Sequence, residues 1–338
     1  MARYAAACRS ELEAAVAAGM PEASSVFFGG GTPSLLPAEL LVGILDAIPV
    51  AAGAEITVEC NPDTVTDGLL RSYRAAGVNR LSFGVQSMVA HVLAGLGRTH
   101  EPDAVLTAVA AARGAGFANW SVDLIFGAAG ETDDDWRRTL DQVLALDPPH
   151  VSAYALTIEA GTPLAGDPAR HPDEDIQAGR YLLAEQLLVG AGLANYEISN
   201  WARPGHECRH NLLYWAQGDY RGVGCAAHSH AAGRRWWNVR TPERYIDLIE
   251  GGRTAEVVAG SEQLDRAAQA AEAAQLALRT SAGLTRSAVG GPANRQLDEL
   301  VDLGLVCQRG DRIFLTPGGR LMANEVTVRL GLVGERSP

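Results

Sequence analysis

Side chains capable of chemistry fall into two groups along this chain. In the N-terminal half, successive apolar runs each deliver a polar residue to their C-terminal end. Thr32 follows Ser25–Phe28, Glu59 ends Glu55–Glu59, Gln86 follows Arg80–Val85, and Asp123 lies inside Val122–Phe126. A carboxylate in a buried apolar strand is costly unless it is paired or holds a ligand. Glu59 and Asp123 could pair with arginines such as Arg80 and Arg98, or cap helices. As a set on successive strands they point instead to a ligand site, because β/α barrels collect ligand groups from the C-terminal ends of several strands. The run Gly29, Gly30, Gly31, Thr32, Pro33 lets a backbone approach a ligand with no Cβ in the way; a tight strand-to-helix loop accounts for it equally well. It has neither G-x-G-x-x-G spacing nor a following P-loop lysine.

The second group is denser. His206, Cys208, His210, Cys225, His228 and His230 place six soft donors within 25 residues, which would suit zinc, although their spacing matches no common structural zinc pattern. Tyr214 and Trp215 follow His210 closely, and an ordinary packed cluster with satisfied polar ends would look the same.

The elements that must position these groups follow from periodicity. Residues 3–18 read as a helix interrupted by Arg9, Glu11 and Glu13. Strands at 25–28, 55–59, 80–85, 120–126 and 150–156 alternate with helices at 37–47, 66–75, 89–96 and 133–146, which predicts a parallel sheet covered by helices. Beyond Pro163 a helix at 175–190 leads to the segment 196–199 and then to an irregular Gly-, His- and Trp-rich stretch reaching Asn238. In the tail an Ala-rich helix, a second helix at 294–304, a hairpin turning at Gly310 and Asp311, and a helix from Pro317 suggest a small winged-helix-like module serving packing or interaction. Trp236 and Trp237 could mark a partner surface or pack in a core.

Composition narrows the function classes. The 338 residues carry a net charge of −12 and no lysine, so all 28 cationic side chains are arginines. That excludes a Schiff-base lysine and argues against a nucleic-acid groove. No apolar run reaches membrane-span length, and the charged Ala-rich start is no signal peptide. Five scattered cysteines do not make a disulfide framework. A soluble cytoplasmic protein is the expectation, with membrane association only through a partner.

Several stretches occur in order at suitable spacing: Phe28–Ser34 (FGGGTPS), Glu59–Pro62 (ECNP), Gly84–Ser87 (GVQS), Arg98–His100 (RTH) and Val122–Gly127 (VDLIFG). Over essentially its whole length the chain resembles the radical SAM family that contains oxygen-independent coproporphyrinogen III dehydrogenases and heme chaperones. The resemblance implies an α/β fold, a partial (βα)6 TIM-like barrel missing its first strand, with a small C-terminal winged-helix-like domain. Its expected divisions are residues 1–165 for the barrel, 166–258 for an extension and 259–338 for the tail.

The resemblance further implies S-adenosylmethionine beside a [4Fe–4S] cluster. Gly30, Gly31 and Thr32 would line the methionine amino group, and Glu59, Gln86, Arg98 and Asp123 would surround the carboxylate and ribose. His210–Trp215 matches the H-N-x-x-Y-W motif of the chaperone branch, so heme would lie against His210, Asn211, Tyr214 and Trp215. A neutral imidazole is a good axial iron ligand, and flat aromatics pack on a macrocycle. In that family positions 208 and 225 are usually Ser and Pro, which makes both cysteines incidental and ranks zinc last. The family's Cys-x3-Cys-x2-Cys is absent, so the sequence as written predicts no cluster held in the family mode and no radical chemistry. Either the true start lies upstream, which the retained pocket residues favour, or this is a cluster-free paralogue. The function implied is a heme chaperone passing heme to an acceptor protein. The alternatives are a coproporphyrinogen III dehydrogenase, a cluster-free heme binder, or an interaction protein with a fossil pocket.

Overall fold

The computed structural model describes residues 1–159, 161–290 and 294–332. Helix α1 (Ala2–Ala17) precedes five strands, β1 (Ala23–Phe28), β2 (Val50–Cys60), β3 (Arg80–Gln86), β4 (Trp120–Phe126) and β5 (His150–Ala155). They pair in parallel and in chain order. Parallel neighbours require crossovers, supplied by α2 (Ala38–Leu45), α3 (Asp67–Ala75), α4 (Ala90–Gly95), α5 (Pro102–Gly114) and α6 (Asp133–Ala145). Helix α5 has no counterpart in the sequence reading: its alanine-rich run blurs the apolar stripe that marks a helix.

Strand alternation sorts the sheet into two unlike faces. Val26, Ile56, Val58, Cys60, Leu81, Phe83, Trp120, Val122, Leu124 and Val151 join Leu41, Leu70, Trp136 and Leu140 of the helices in one large core. The intervening residues, Glu55, Thr57, Glu59, Arg80, Ser82, Ser121, Asp123, His150 and Ser152, give the other face a polar lining. Cys60 therefore points away from Glu59, as a regular strand requires.

Helix α7 (Glu174–Gly190) leads to the hairpin β6 (Ala194–Glu197) and β7 (Asn200–Ala202), which adds two antiparallel strands in the order β1-β2-β3-β4-β5-β7-β6. The stretch expected to be irregular is not. It holds α8 (Arg209–Trp215), β8 (His228–Ala231) and β9 (Arg234–Asn238), elements too short for periodicity to reveal. After α9 (Pro242–Glu250), β10 (Val258–Gln263) completes an antiparallel sheet, β10-β9-β8. In it Trp237 stacks on His228 at 6.0 Å and Trp236 packs under Arg234. Glu11 is not the surface charge its place in α1 suggests. It is buried and accepts hydrogen bonds from Gly224 N, Asn238 Nδ2 and Tyr245 Oη at 2.9, 3.0 and 2.5 Å, tying α1 to the middle of the chain.

The tail runs α10 (Arg266–Leu278), β11 (Leu284–Thr285), α11 (Asn294–Asp302), β12 (Val306–Arg309), β13 (Arg312–Leu315), α12 (Pro317–Leu321) and α13 (Ala323–Arg329). The hairpin turns where expected. The last helix is two, parted at Met322. Leu278, Leu284, Leu297, Leu300, Val306, Ile313 and Val326 form a core of their own. Among the described residues no helix is long and apolar enough to cross a membrane.

Candidate functional site

The ends of β1 to β4 place most of the first group along one edge. Directly after β1, Gly30 and Gly31 take positive φ of 75° and 71°, and nothing lies within 4 Å of where their Cβ atoms would stand. Gly29 is different. A Cβ there would fall 2.5 Å from the Phe27 ring and 3.1 Å from the Glu59 carboxyl carbon, so this glycine lets the loop close over both. Gly30 N donates to Glu59 Oε2 at 3.2 Å. Burial, and then the charge of Asp123, push the Glu59 carboxyl above its ordinary pKa, against the pull of that hydrogen bond.

Asp123 is held from both sides. Ser82 of β3 and Ser152 of β5 donate to its two oxygens at 2.7 Å each, so three adjacent strands converge on one carboxylate. Burial raises its pKa; those hydroxyls and the Arg80 charge oppose the rise. Among the described residues Asp123 is thus paired through serines and not through a salt bridge. Gln86 is buried at a register shift between β3 and β4 with φ 64°, and its Nε2 lies 3.0 Å from where a Cβ on Gly84 would stand. Thr32 is half-buried, and its carbonyl accepts from Leu35 N at 3.0 Å. Arg98 is exposed and, among the described residues, its guanidinium has no hydrogen-bond or ion-pair partner. Its loop is pinned to this edge because buried His100 Nε2 bonds the Val85 carbonyl at 3.0 Å.

The second group is built by α8, lodged against β1 and β2. Glu55 accepts from the backbone N–H of Arg209 at 3.2 Å and of His210 at 3.0 Å, closing the free amides of the helix start. Arg209 reaches the carbonyls of Gly53 and Ser24 at 2.8 and 3.3 Å. The His210 ring stacks on Phe27 at 5.1 Å and 14°. Its Nδ1 bonds Ser25 Oγ and its Nε2 bonds Tyr214 Oη, both at 2.9 Å. Burial lowers the His210 pKa below the ordinary histidine value, and the Glu55 charge opposes the shift.

Asn211 Nδ2 donates to Glu197 Oε1 at 3.3 Å. Tyr214 meets Tyr220 edge-on at 4.5 Å, and Trp215 ends the helix half-buried. Beside Tyr214 opens a pocket of about 420 Å³ whose lining includes Tyr220, His228, His230, Arg235 and Glu272.

Neither the zinc reading nor a family-type cluster finds a place here. Among the described residues no three of His, Cys, Asp or Glu converge on a point. The six donors are dispersed: His206 faces Asn119, Cys208 lies against Glu55, Cys225 against Tyr4, and His230 bonds the Gly218 carbonyl. Burial pushes the thiols of Cys8 and Cys208 up to about 11 and that of Cys60 up to about 12, the opposite of what a thiolate ligand needs. These residues do not fit a [4Fe–4S] cluster.

The sequence reading missed Glu55, Ser25, Phe27, Ser82 and Ser152, which hold both groups in place. The period-two alternation of polar residues within the strands is the signal that could have found them.

The architecture is that of the radical SAM class. The solved structure of coproporphyrinogen III oxidase (HemN) from Escherichia coli superposes with a TM-score of 0.81 over 97% of this chain and 82% of that one, at 22% identity, a likeness of fold alone. The radical SAM superfamily profile matches residues 5–143. Heme chaperone HemW of Mycobacterium tuberculosis (strain ATCC 25618 / H37Rv) is 41% identical over 96% of this chain and 85% of its own length. HemW of Bacillus subtilis (strain 168) is 36% identical over 91% and 85% respectively. The chain belongs to the HemW family of radical SAM proteins.

Proposed function

We propose that this protein binds heme at the His210–Trp215 segment and passes it to an acceptor protein. The observation that carries the reading is the α8 arrangement. An imidazole and a tyrosine are hydrogen-bonded to each other at 2.9 Å beside an open pocket lined by aromatic and histidine side chains together with Arg235 and Glu272. Flat rings suit a macrocycle, and nitrogen and oxygen donors suit its iron. The relatives named heme chaperones support it. Titration with hemin should give saturable binding at one site, and the loaded protein should surrender heme to an apo-globin used as a stand-in acceptor. A His210→Ala, Tyr214→Ala double variant should bind at least about tenfold more weakly. Absence of saturable binding in the wild type would overturn the reading.

The strand-edge group is proposed as the S-adenosylmethionine site. Among the described residues half-buried Glu59 has one hydrogen bond and no cation beside it, so an amino group and a sulfonium would supply the missing positive charge. Gly30, Gly31 and Thr32 would take the methionine end, and Glu59, Gln86 and Asp123 would take the remainder, with Arg98 at the rim. The described residues do not fit a cluster, so the assignment concerns binding alone. Equilibrium binding of S-adenosylmethionine, lost in Glu59→Ala, tests the assignment; undiminished binding would remove Glu59 from the site.

A further inference from the structure

We propose that Arg80, Thr57 and His150 form an internal binding site for a small monovalent inorganic anion of halide size, on the polar face of the sheet. The site is separate from both assignments above and depends on neither.

The sequence puts an arginine at the first position of β3, and strand alternation turns its side chain away from the apolar core that takes Leu81. Arg80 is 2% exposed, its Nε has no hydrogen-bond partner, and among the described residues it forms no ion pair. A guanidinium does not shed its proton, so burial leaves it in need of a negative partner. The carboxylates of this face are engaged elsewhere. Asp123 is held by Ser82 and Ser152, Glu59 by Gly30 N, and Glu55 by the first amides of α8.

Two more unpartnered polar atoms belong to the same stretch of the sheet. Thr57 is the register partner of Arg80 on β2, and its buried Oγ1 has no partner among the described residues. His150 lies one row along, opposite Ser121, whose own partner on β3 is Ser82. Its Nδ1 is likewise buried and unpartnered. The hydrogen on that ring can be placed. Tyr196 Oη accepts from Cys208 N at 3.4 Å and from Asn211 Nδ2 at 3.5 Å, so it donates its own hydrogen to His150 Nε2 at 2.8 Å. Burial, and then the Arg80 charge, hold the His150 pKa well below the ordinary value, so the ring is neutral near pH 7 and carries its hydrogen on Nδ1. Three buried groups of one face thus offer N–H and O–H bonds without an acceptor, and one of them is a cation. A water oxygen would accept hydrogens and leave the charge uncompensated. A halide-sized anion answers both needs.

The test uses bromide as the probe on the whole chain. Crystals grown in sodium bromide should show an anomalous peak among Arg80 Nε, Thr57 Oγ1 and His150 Nδ1, a readout that needs no variant. In solution, replacing gluconate with bromide at constant ionic strength should raise Tm saturably, by about 2–4 °C. Arg80→Met and Thr57→Val, which remove the donors while filling much of the space, should each lose that rise. Each variant is compared with itself in the two salts, so a changed starting Tm does not obscure the result, and the wild-type diffraction stands if either fails to fold. An ordered water at that point in place of bromide would overturn the proposal. So would a Tm rise absent from wild type, or one that both variants retain, which would mean general salt action and an adventitious ion only. None of these results bears on hemin or S-adenosylmethionine binding, which the titrations above measure separately.

Discussion

The two candidate sites are built in opposite ways. The strand-edge site draws Glu59, Gln86 and Asp123 from three strands, and each sits where the sheet's own hydrogen bonds put it. Asp123 is cross-braced by serines of two neighbouring strands. The α8 site draws all of its motif residues from one seven-residue helix. Isolated helices of that length are unstable in water, so its geometry has to come from elsewhere. It comes from the first two strands of the same sheet, through Glu55, Ser25, Phe27 and the carbonyls that hold Arg209. The residues scattered in sequence are thus positioned by their own element, while the contiguous motif depends on residues some 150 or more positions away.

The sharpest way to break this asymmetry is Glu55→Ala. The side chain is 5% exposed and accepts two backbone hydrogen bonds at the start of α8. Its loss would leave those amides unpaired, at a cost of about 3 kcal/mol. Hemin affinity should collapse while S-adenosylmethionine binding changes little, measured by paired titrations on the same preparation. Equal loss of both ligands would mean that the sites stand or fall together.

His150 tests the lining beneath both sites. It is 2% exposed, bonds Tyr196 Oη through Nε2 at 2.8 Å, and leaves Nδ1 unpartnered. Burial, followed by the charges of Arg80 and His206, holds its pKa well below the ordinary histidine value. Below the unfolded-state pKa of about 6.5 the unfolded chain binds a proton that the native chain refuses, so stability falls as pH falls. The contribution of one proton reaches at most about 1.4 kcal/mol per pH unit. Chemical denaturation between pH 7 and 5 should show that slope, reduced in His150→Gln; an unchanged slope in the variant would assign it to other groups.

How much of this was legible beforehand follows from the same asymmetry. The parallel sheet, its crossovers and the tail hairpin could be read because apolar runs of four to seven residues alternate with helical stretches. The motif at His210–Trp215 could be read because it is contiguous. The supports could not. Glu55 looks like the opening of a strand, and Ser82 and Ser152 look like neutral strand residues, until register sets them around Asp123. Glu11 reads as a break in a helix face, although three distant donors bury it. β8 and β9, short and with the polar sequences His228–Ala231 and Arg234–Asn238, exist through pairing and offer no apolar run to detect.

Phe27 is the side chain the two sites share. One edge of its ring closes against Gly29, and His210 stacks on its face. Phe27→Ala in this half-buried position should cost about 1–2 kcal/mol. It should weaken hemin binding several-fold by freeing the imidazole, with a smaller loss for S-adenosylmethionine. Phe27→Leu, which fills the space without a flat face, separates stacking from packing. Recovery of hemin affinity by leucine would make packing the whole effect.

Glu59→Gln should give the smallest effect on stability, with the opposite sign to the others. Burial and the nearby Asp123 charge raise the Glu59 pKa. A raised folded-state value means that the native chain binds the proton more tightly than the unfolded chain does. Ionisation near neutral pH therefore destabilises the fold, and stability returns as pH falls through the raised value. Removing the charge should raise Tm by about 1–3 °C at pH 7, and the gain should shrink as the pH is lowered toward 4.5. The same variant should bind S-adenosylmethionine more weakly while hemin binding stays as in wild type. A gain in stability combined with a loss of ligand is what a carboxylate retained for binding, against the interest of the fold, would produce. A variant that lost stability would make Glu59 a structural partner of the Gly30 loop.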